Sequence, residues 1–142
     1  MHVRPANLHD APGIAPLLGQ LGYPTSAEAF AARLARLGGS GDDPAWVAVD
    51  PDDDAILGFA AGHLFRPYEL DAPVAELTAL VITEHRRRTG AGKALVTAFE
   101  EWATEAGSAR VTVASSLQRT GAHAFYARLG YEQLAKKLEK SL

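Results

Sequence analysis

Three arginines stand directly before a Gly-Ala-Gly in HRRRTGAGKALV, His85 to Val96. Glycines at the passage from a strand to a helix permit positive φ and let a ligand approach main-chain amides. The unpaired N–H groups of a helix's first turn, together with its dipole, favour an anion. Arg87 and Arg88 add charge and forked donors suited to phosphate oxygens, and Thr89, Gly90, Ala91, Gly92 and Lys93 complete the loop. The implied chemistry is capture of a phosphate or pyrophosphate. Solvated surface arginines beside a glycine turn would have the same composition. Spacing excludes two known phosphate loops. The residue five before Gly92 is Arg87 and Lys93 is followed by Ala94, so this is not a Walker loop. Leu95 stands where a dinucleotide fingerprint needs its third glycine.

Such a loop needs a strand to deliver it and a helix to begin at it. VAELTALVIT, Val74 to Thr83, supplies the strand. Gly90 to Ala106 reads as the helix, with Leu95, Phe99, Trp102 and Ala106 recurring on one side and Gly107 placed to stop it. ARVTVASS predicts a buried strand, and the strand–helix–strand order predicts a parallel pair. GAHAFYARLGY predicts a short helix ending at Gly130.

Upstream, Met1 to Ala6 reads as a first strand. Asn7 or Asp10 can cap a helix carrying Ile14, Leu17, Leu18 and Leu21, which Pro16 should kink or shorten. TSAE, Thr25 to Glu28, has the pattern of a capping box before a second helix with Phe30, Leu34 and Leu37 on one side. WVAVD and ILGFAAGHLF predict two strands joined by the acidic turn DPDDD. LAKKLEKSL fits a helix by composition and one or two edge strands by position. The fold class expected is α/β (α+β) around a mixed sheet, in a single domain over residues 1–142.

The 142 residues suffice for one core and are too few for two. Fourteen Lys+Arg against seventeen Asp+Glu weigh against a nucleic-acid partner. Without cysteine there is no thiol nucleophile, disulfide or thiolate metal site, which fits a reducing compartment. His2, His9, His63, His85 and His123 form no i,i+4 pair, so no metal is expected. MHVRPANLHD lacks an apolar h-region, and no run approaches the roughly 20 apolar residues of a membrane span. A cytoplasmic protein without a membrane partner is expected.

RRTGAG, Arg87 to Gly92, resembles the Q/R-x-x-G-x-G/A signature of the GCN5-related N-acetyltransferases (GNAT), whose loop cradles the pyrophosphate of acetyl-CoA. LVITEHRRRTGAGKALVTAFEEWATEAG resembles that family's strand, loop and long helix, with Glu84 where many members have proline. AHAFYARLGYE, Ala122 to Glu132, resembles its A-x-x-F-Y-x-x-x-G-F/Y helix. Seven residues before Tyr126, where many members carry Asn, this chain has Arg119, which could still reach a phosphate. The resemblance covers Val74 to the C-terminus; the earlier part matches in element order, with LGYP, Leu21 to Pro24, similar to a region near acceptor sites.

The resemblance implies a sheet of six to seven strands, about four helices and a parallel splayed strand pair at the centre. It implies that Leu80, Val81 and Ile82 pair their backbone with the pantetheine arm of acetyl-CoA. Arg119, Ala122 and Phe125 would join the loop at Arg87 to Lys93 in holding the cofactor. It implies that Tyr126 protonates the leaving thiolate; a phenol, with an ordinary pKa of about 10, keeps its proton at neutral pH. It implies that Glu76, at the strand position of a glutamate in the histone-acetylating branch, deprotonates the amine. Each residue also has a plainer reading, as core aromatic, outward-facing strand carboxylate or ordinary core. His63 and His123 could serve as bases, but a lone histidine among apolar residues is more often structural. DPDDD reads as a solvated turn.

The function expected is acetyl-CoA-dependent transfer of an acetyl group to a primary amine of a small molecule by direct attack. Acetylation of a protein or peptide amine is the close alternative. A non-catalytic CoA-binding module is the alternative from another class, and it would not need Tyr126. A nucleotide-phosphate enzyme lacks its Walker and metal-binding residues. Exposed C-terminal strands would offer an edge through which two copies could pair.

Overall fold

The computed structural model describes residues 1–86, 89–114 and 120–142. Its elements are β1 (His2–Pro5), α1 (Ala11–Leu21), α2 (Ala27–Leu37), β2 (Ala45–Val49), β3 (Ile56–Phe65), β4 (Val74–Ile82), α3 (Ala91–Glu105), β5 (Arg110–Val113) and α4 (Thr120–Arg128). Short 3-10 turns precede α1 and follow β4.

The five strands form one sheet in chain order. β1 to β4 are antiparallel, whereas β4 and β5 are parallel, as the strand–helix–strand order predicts. Alternation along the strands assigns side chains to two layers. Trp46, Ala48, Ala60, Leu64, Ala75 and Leu77 meet α3 through Leu95, Val96 and Phe99. Val47, Val49, Phe59 and Val81 meet Ile14, Leu17, Leu18 and Phe30 of α1 and α2. Phe99 is fully buried, and Trp46 and Trp102 pack edge-on with ring centroids 5.9 Å apart.

The approach to α1 is fixed by polar groups. Asn7 Oδ1 accepts from the His9 amide at 2.9 Å, and Asp10 Oδ2 accepts from the Asn7 amide at 2.8 Å. The Arg4 guanidinium donates to both oxygens of Asp10, each at 2.8 Å. This holds the buried Asp10 carboxyl below its usual range and pushes Arg4 up. α1 is not cut short at Pro16; it continues to Leu21 and closes on Gly22 at φ 104°. Pro16 is the sixth of the eleven residues of α1, and the N–H it lacks costs one internal bond.

Three expectations are corrected. The cap of α2 is Ser26, whose Oγ accepts from the Ala29 amide, while the Thr25 hydroxyl donates to the Tyr23 carbonyl at 2.7 Å. The sheet has five strands among the described residues, not six to seven. The parallel pair therefore stands at its edge, not its centre. Residues 134–142 form neither the edge strands nor the helix expected. Residues 132–142 hold no β-branched or aromatic side chain, the types that favour strands, and Leu134, Leu138 and Leu142 lie exposed.

Candidate active site

The parallel ladder pairs Val74 with Arg110 and ends at Leu77 opposite Val113, yet β4 runs on to Ile82. From Thr78 to Ile82 β4 has β3 on one side and, among the described residues, no partner on the other. A strand turns alternate N–H and C=O groups to each edge, so a row of backbone donors and acceptors lines the opening. An irregularity of β4 lies at the same level. Ala61 pairs with Ala79 and Gly62 with Leu77, which leaves Thr78 as an extra residue. Such a bulge bends and twists its strand, and this one sits where the parallel pairing stops. The Thr78 hydroxyl donates to the Ala61 carbonyl at 3.2 Å.

Leu80 and Ile82 turn to the α3 layer and Val81 to the α1 layer. Their side chains are core, and their backbone is what they offer to the opening. The glycine loop meets the same region. Gly90, at φ 85°, is the N-cap of α3, and no side chain caps this end. The first internal bond of the helix runs from Ala94 N to Gly90 O at 3.0 Å, so the amides of Ala91, Gly92 and Lys93 have no acceptor within the helix. Ala91 is buried, while Thr89 and Lys93 are exposed. At Gly92 a Cβ would meet the Phe125 ring at 3.3 Å, which seats α4 against the start of α3. Arg87, Arg88 and Arg119 lie outside the described residues.

Ala122, Phe125 and Tyr126 share α4. Phe125 and Ala122 pack at the fringe of the α3 layer, and Tyr126 is buried within it. The Tyr126 ring is edge-on to Phe125 at 5.2 Å and to Tyr131 at 5.7 Å. The Tyr131 hydroxyl donates to Glu100 Oε2 at 2.8 Å, tying the end of α4 to α3. Burial and that carboxylate push the Tyr131 hydroxyl well above its usual pKa.

Glu76 points to the other face. Its neighbours form a row across the sheet. Thr112 stands opposite it on β5 and donates to Glu76 Oε1 at 3.4 Å. His63 stands opposite it on β3. Asp43, just before β2, continues the β2–β3 register beyond Ala45 and Ala61, and its Oδ1 lies 2.8 Å from His63 Nδ1. Glu76 and Tyr126 thus flank the parted strands from opposite layers. Asp43 has no motif of its own in the sequence; only the register brings it to His63. A surface groove of about 750 Å³ between β1 and α3 touches Gly90 and Lys93 but neither Glu76 nor Tyr126.

Comparison with known proteins agrees with this geometry. Among solved structures, a putative acetyltransferase from Agrobacterium tumefaciens is 21% identical, with each chain covered over 100% and a TM-score of 0.88. A Trypanosoma brucei acetyltransferase is 22% identical over 99% of each chain, TM-score 0.84. The glucosamine-6-phosphate N-acetyltransferase of Arabidopsis thaliana is 18% identical over 99% of this chain and 97% of its own, TM-score 0.86. These likenesses show the fold. No curated protein matches the sequence. The family profile described as "Acetyltransferase (GNAT) family" matches residues 18–131, a span that holds the parted strands, the glycine loop and Tyr126 together. The chain therefore belongs to the GNAT acetyltransferase family, and it is a transferase.

Proposed function

We propose that the protein moves an acetyl group from acetyl-CoA to a primary amine of a small molecule by direct attack. The observation that carries this reading is the edge of β4 between Thr78 and Ile82, unpaired among the described residues and ending beside the start of α3, which no side chain caps. The edge suits the amide-bearing pantetheine arm. The amides of residues 90–93 suit a pyrophosphate, with Arg87, Arg88 and Lys93 adding charge. The thioester then lies between the Glu76 face and the Tyr126 face. Glu76 takes a proton from the ammonium form of the amine, the nitrogen bonds to the thioester carbon, the carbon–sulfur bond breaks, Tyr126 gives its hydroxyl proton to the departing sulfur, and the second proton shed by the bonded nitrogen restores the Tyr126 hydroxyl.

The test is thiol release from acetyl-CoA with spermidine, tyramine, glucosamine 6-phosphate and a lysine-containing peptide, beside calorimetric acetyl-CoA binding. Turnover with a small amine is the expected result. Turnover with the peptide alone would move the reading to a protein acceptor. Tight acetyl-CoA binding without turnover would leave a passive CoA-binding module. Gly92→Val, whose branched side chain collides with Phe125, should lose acetyl-CoA affinity. A folded variant binding as tightly as the parent would remove the glycine loop from the site.

A further inference from the structure

We infer that His63, oriented by Asp43, takes up the proton released by the acceptor amine and hands it to bulk water, with Glu76 between it and the parted strands. The inference rests on the acetyl-transfer reading and concerns a step that reading leaves open. At neutral pH a primary amine arrives as an ammonium ion. Its nitrogen loses one proton before attack and a second once bonded to the acetyl carbon. The leaving thiolate keeps one. Each turnover therefore yields amide, thiol and one proton that must leave the site.

Asp43, His63, Glu76 and Thr112 occupy successive positions of one row, and directly opposed residues of a ladder project to one face. Both ends of the row are held: Asp43 by His63 Nδ1 at 2.8 Å, and Glu76 Oε1 by the Thr112 hydroxyl. A carboxylate only accepts, so Nδ1 carries the hydrogen of the neutral ring, and Nε2 is left with its lone pair. Nε2 makes no hydrogen bond among the described residues. The Phe65 ring stacks on the imidazole at 6.2 Å and 15° and limits its rotation. The other charges near this end of the sheet include the Asp42–Arg66 pair at 3.8 Å and Arg110, two residues before Thr112 on β5.

α1 covers this face at Phe59 and Val81 and leaves the His63 end open. The His63 side chain is 47% exposed, whereas Glu76 is half-buried. Glu76 thus stands beside the chemistry and His63 beside the solvent. That order moves a proton outward from the amine nitrogen through Glu76 to Nε2 and on to water.

His63→Asn keeps a donor to Asp43 and removes the Nε2 acceptor. With acetyl-CoA and the best of spermidine, tyramine and glucosamine 6-phosphate, its kcat should fall about 10²-fold, the lower bound for a lost proton acceptor, with acetyl-CoA affinity and melting temperature unchanged. His63→Gly should be rescued by added imidazole, saturably, which a merely structural role would not show. Asp43→Asn should lower kcat by less than His63→Asn does, and it decides the matter should the glycine variant not fold. Parent-like kcat in His63→Asn, or in Asp43→Asn if that variant must decide, overturns the inference and leaves acetyl transfer standing. No thiol release by the parent with any of the three amines overturns both.

Discussion

At the scale of residues, the proposed chemistry divides between a buried phenol and a half-buried carboxylate on opposite layers. Tyr126→Phe removes one hydroxyl and keeps the ring contacts with Phe125 and Tyr131. Its turnover should fall about 10²–10⁴-fold. Its stability should fall by no more than about 1 kcal/mol, the size of one hydrogen bond. Steady-state thiol release beside a melting curve checks both, and parent-like turnover would leave Tyr126 as a core residue. Glu76→Gln keeps the shape of the side chain and an acceptor for the Thr112 hydroxyl. It should lower turnover and leave acetyl-CoA affinity alone; unchanged turnover would pass the proton to water directly. The helix that carries Tyr126 was legible because it has a compact local pattern of aromatic and glycine spacing. The Asp43–His63 contact was not, since the two residues lie 20 positions apart and meet through strand register alone.

At the scale of elements, the bond between β1 and the entry to α1 is open to acid. The Asp10 carboxyl is lowered from 3.8 chiefly by the hydrogen bond from Arg4. A depressed carboxyl contributes stability that is present above its unfolded value and lost as pH falls through its folded one. The parent should therefore lose this contribution below about pH 4, and Asp10→Asn should show no such loss. At pH 7 Asp10→Asn should cost about 1–2 kcal/mol by urea denaturation, in the lower range for a charged bond because the Arg4 side chain is 32% exposed. An acid limb identical in parent and variant would dismiss the pair. Gly90→Ala should cost about 1 kcal/mol, since a Cβ is strained at φ 85°. Periodicity made the helices and β2 to β5 readable to within a few residues. It could not show the bulge at Thr78, because VAELTALVIT is apolar on both sides of it and alternation leaves no trace of the extra residue. The cap of α2 was misread by one residue because Thr25 and Ser26 are both competent acceptors.

At the scale of the whole molecule, two layers close on one sheet, and among the described residues β4 and β5 pair from Val74 to Leu77 and not beyond. Residues 132–142 add nothing to either layer that burial would reward. Replacing Leu134, Leu138 and Leu142 together by serine should change unfolding free energy by no more than about 0.5 kcal/mol, as for other surface changes; a larger loss would mean those leucines are covered in solution. Among the described residues no helix is long and apolar enough to cross a membrane. The chain's two tryptophans, Trp46 and Trp102, share one aromatic cluster with Phe99 under α3. Intrinsic fluorescence of this protein is therefore the signal of a single layer. It will follow the release of α3 from the sheet during unfolding and stay nearly silent to events at His63 or Glu76. An emission change on adding acetyl-CoA would mean that the start of α3 passes strain along the helix to Trp102, about three turns away.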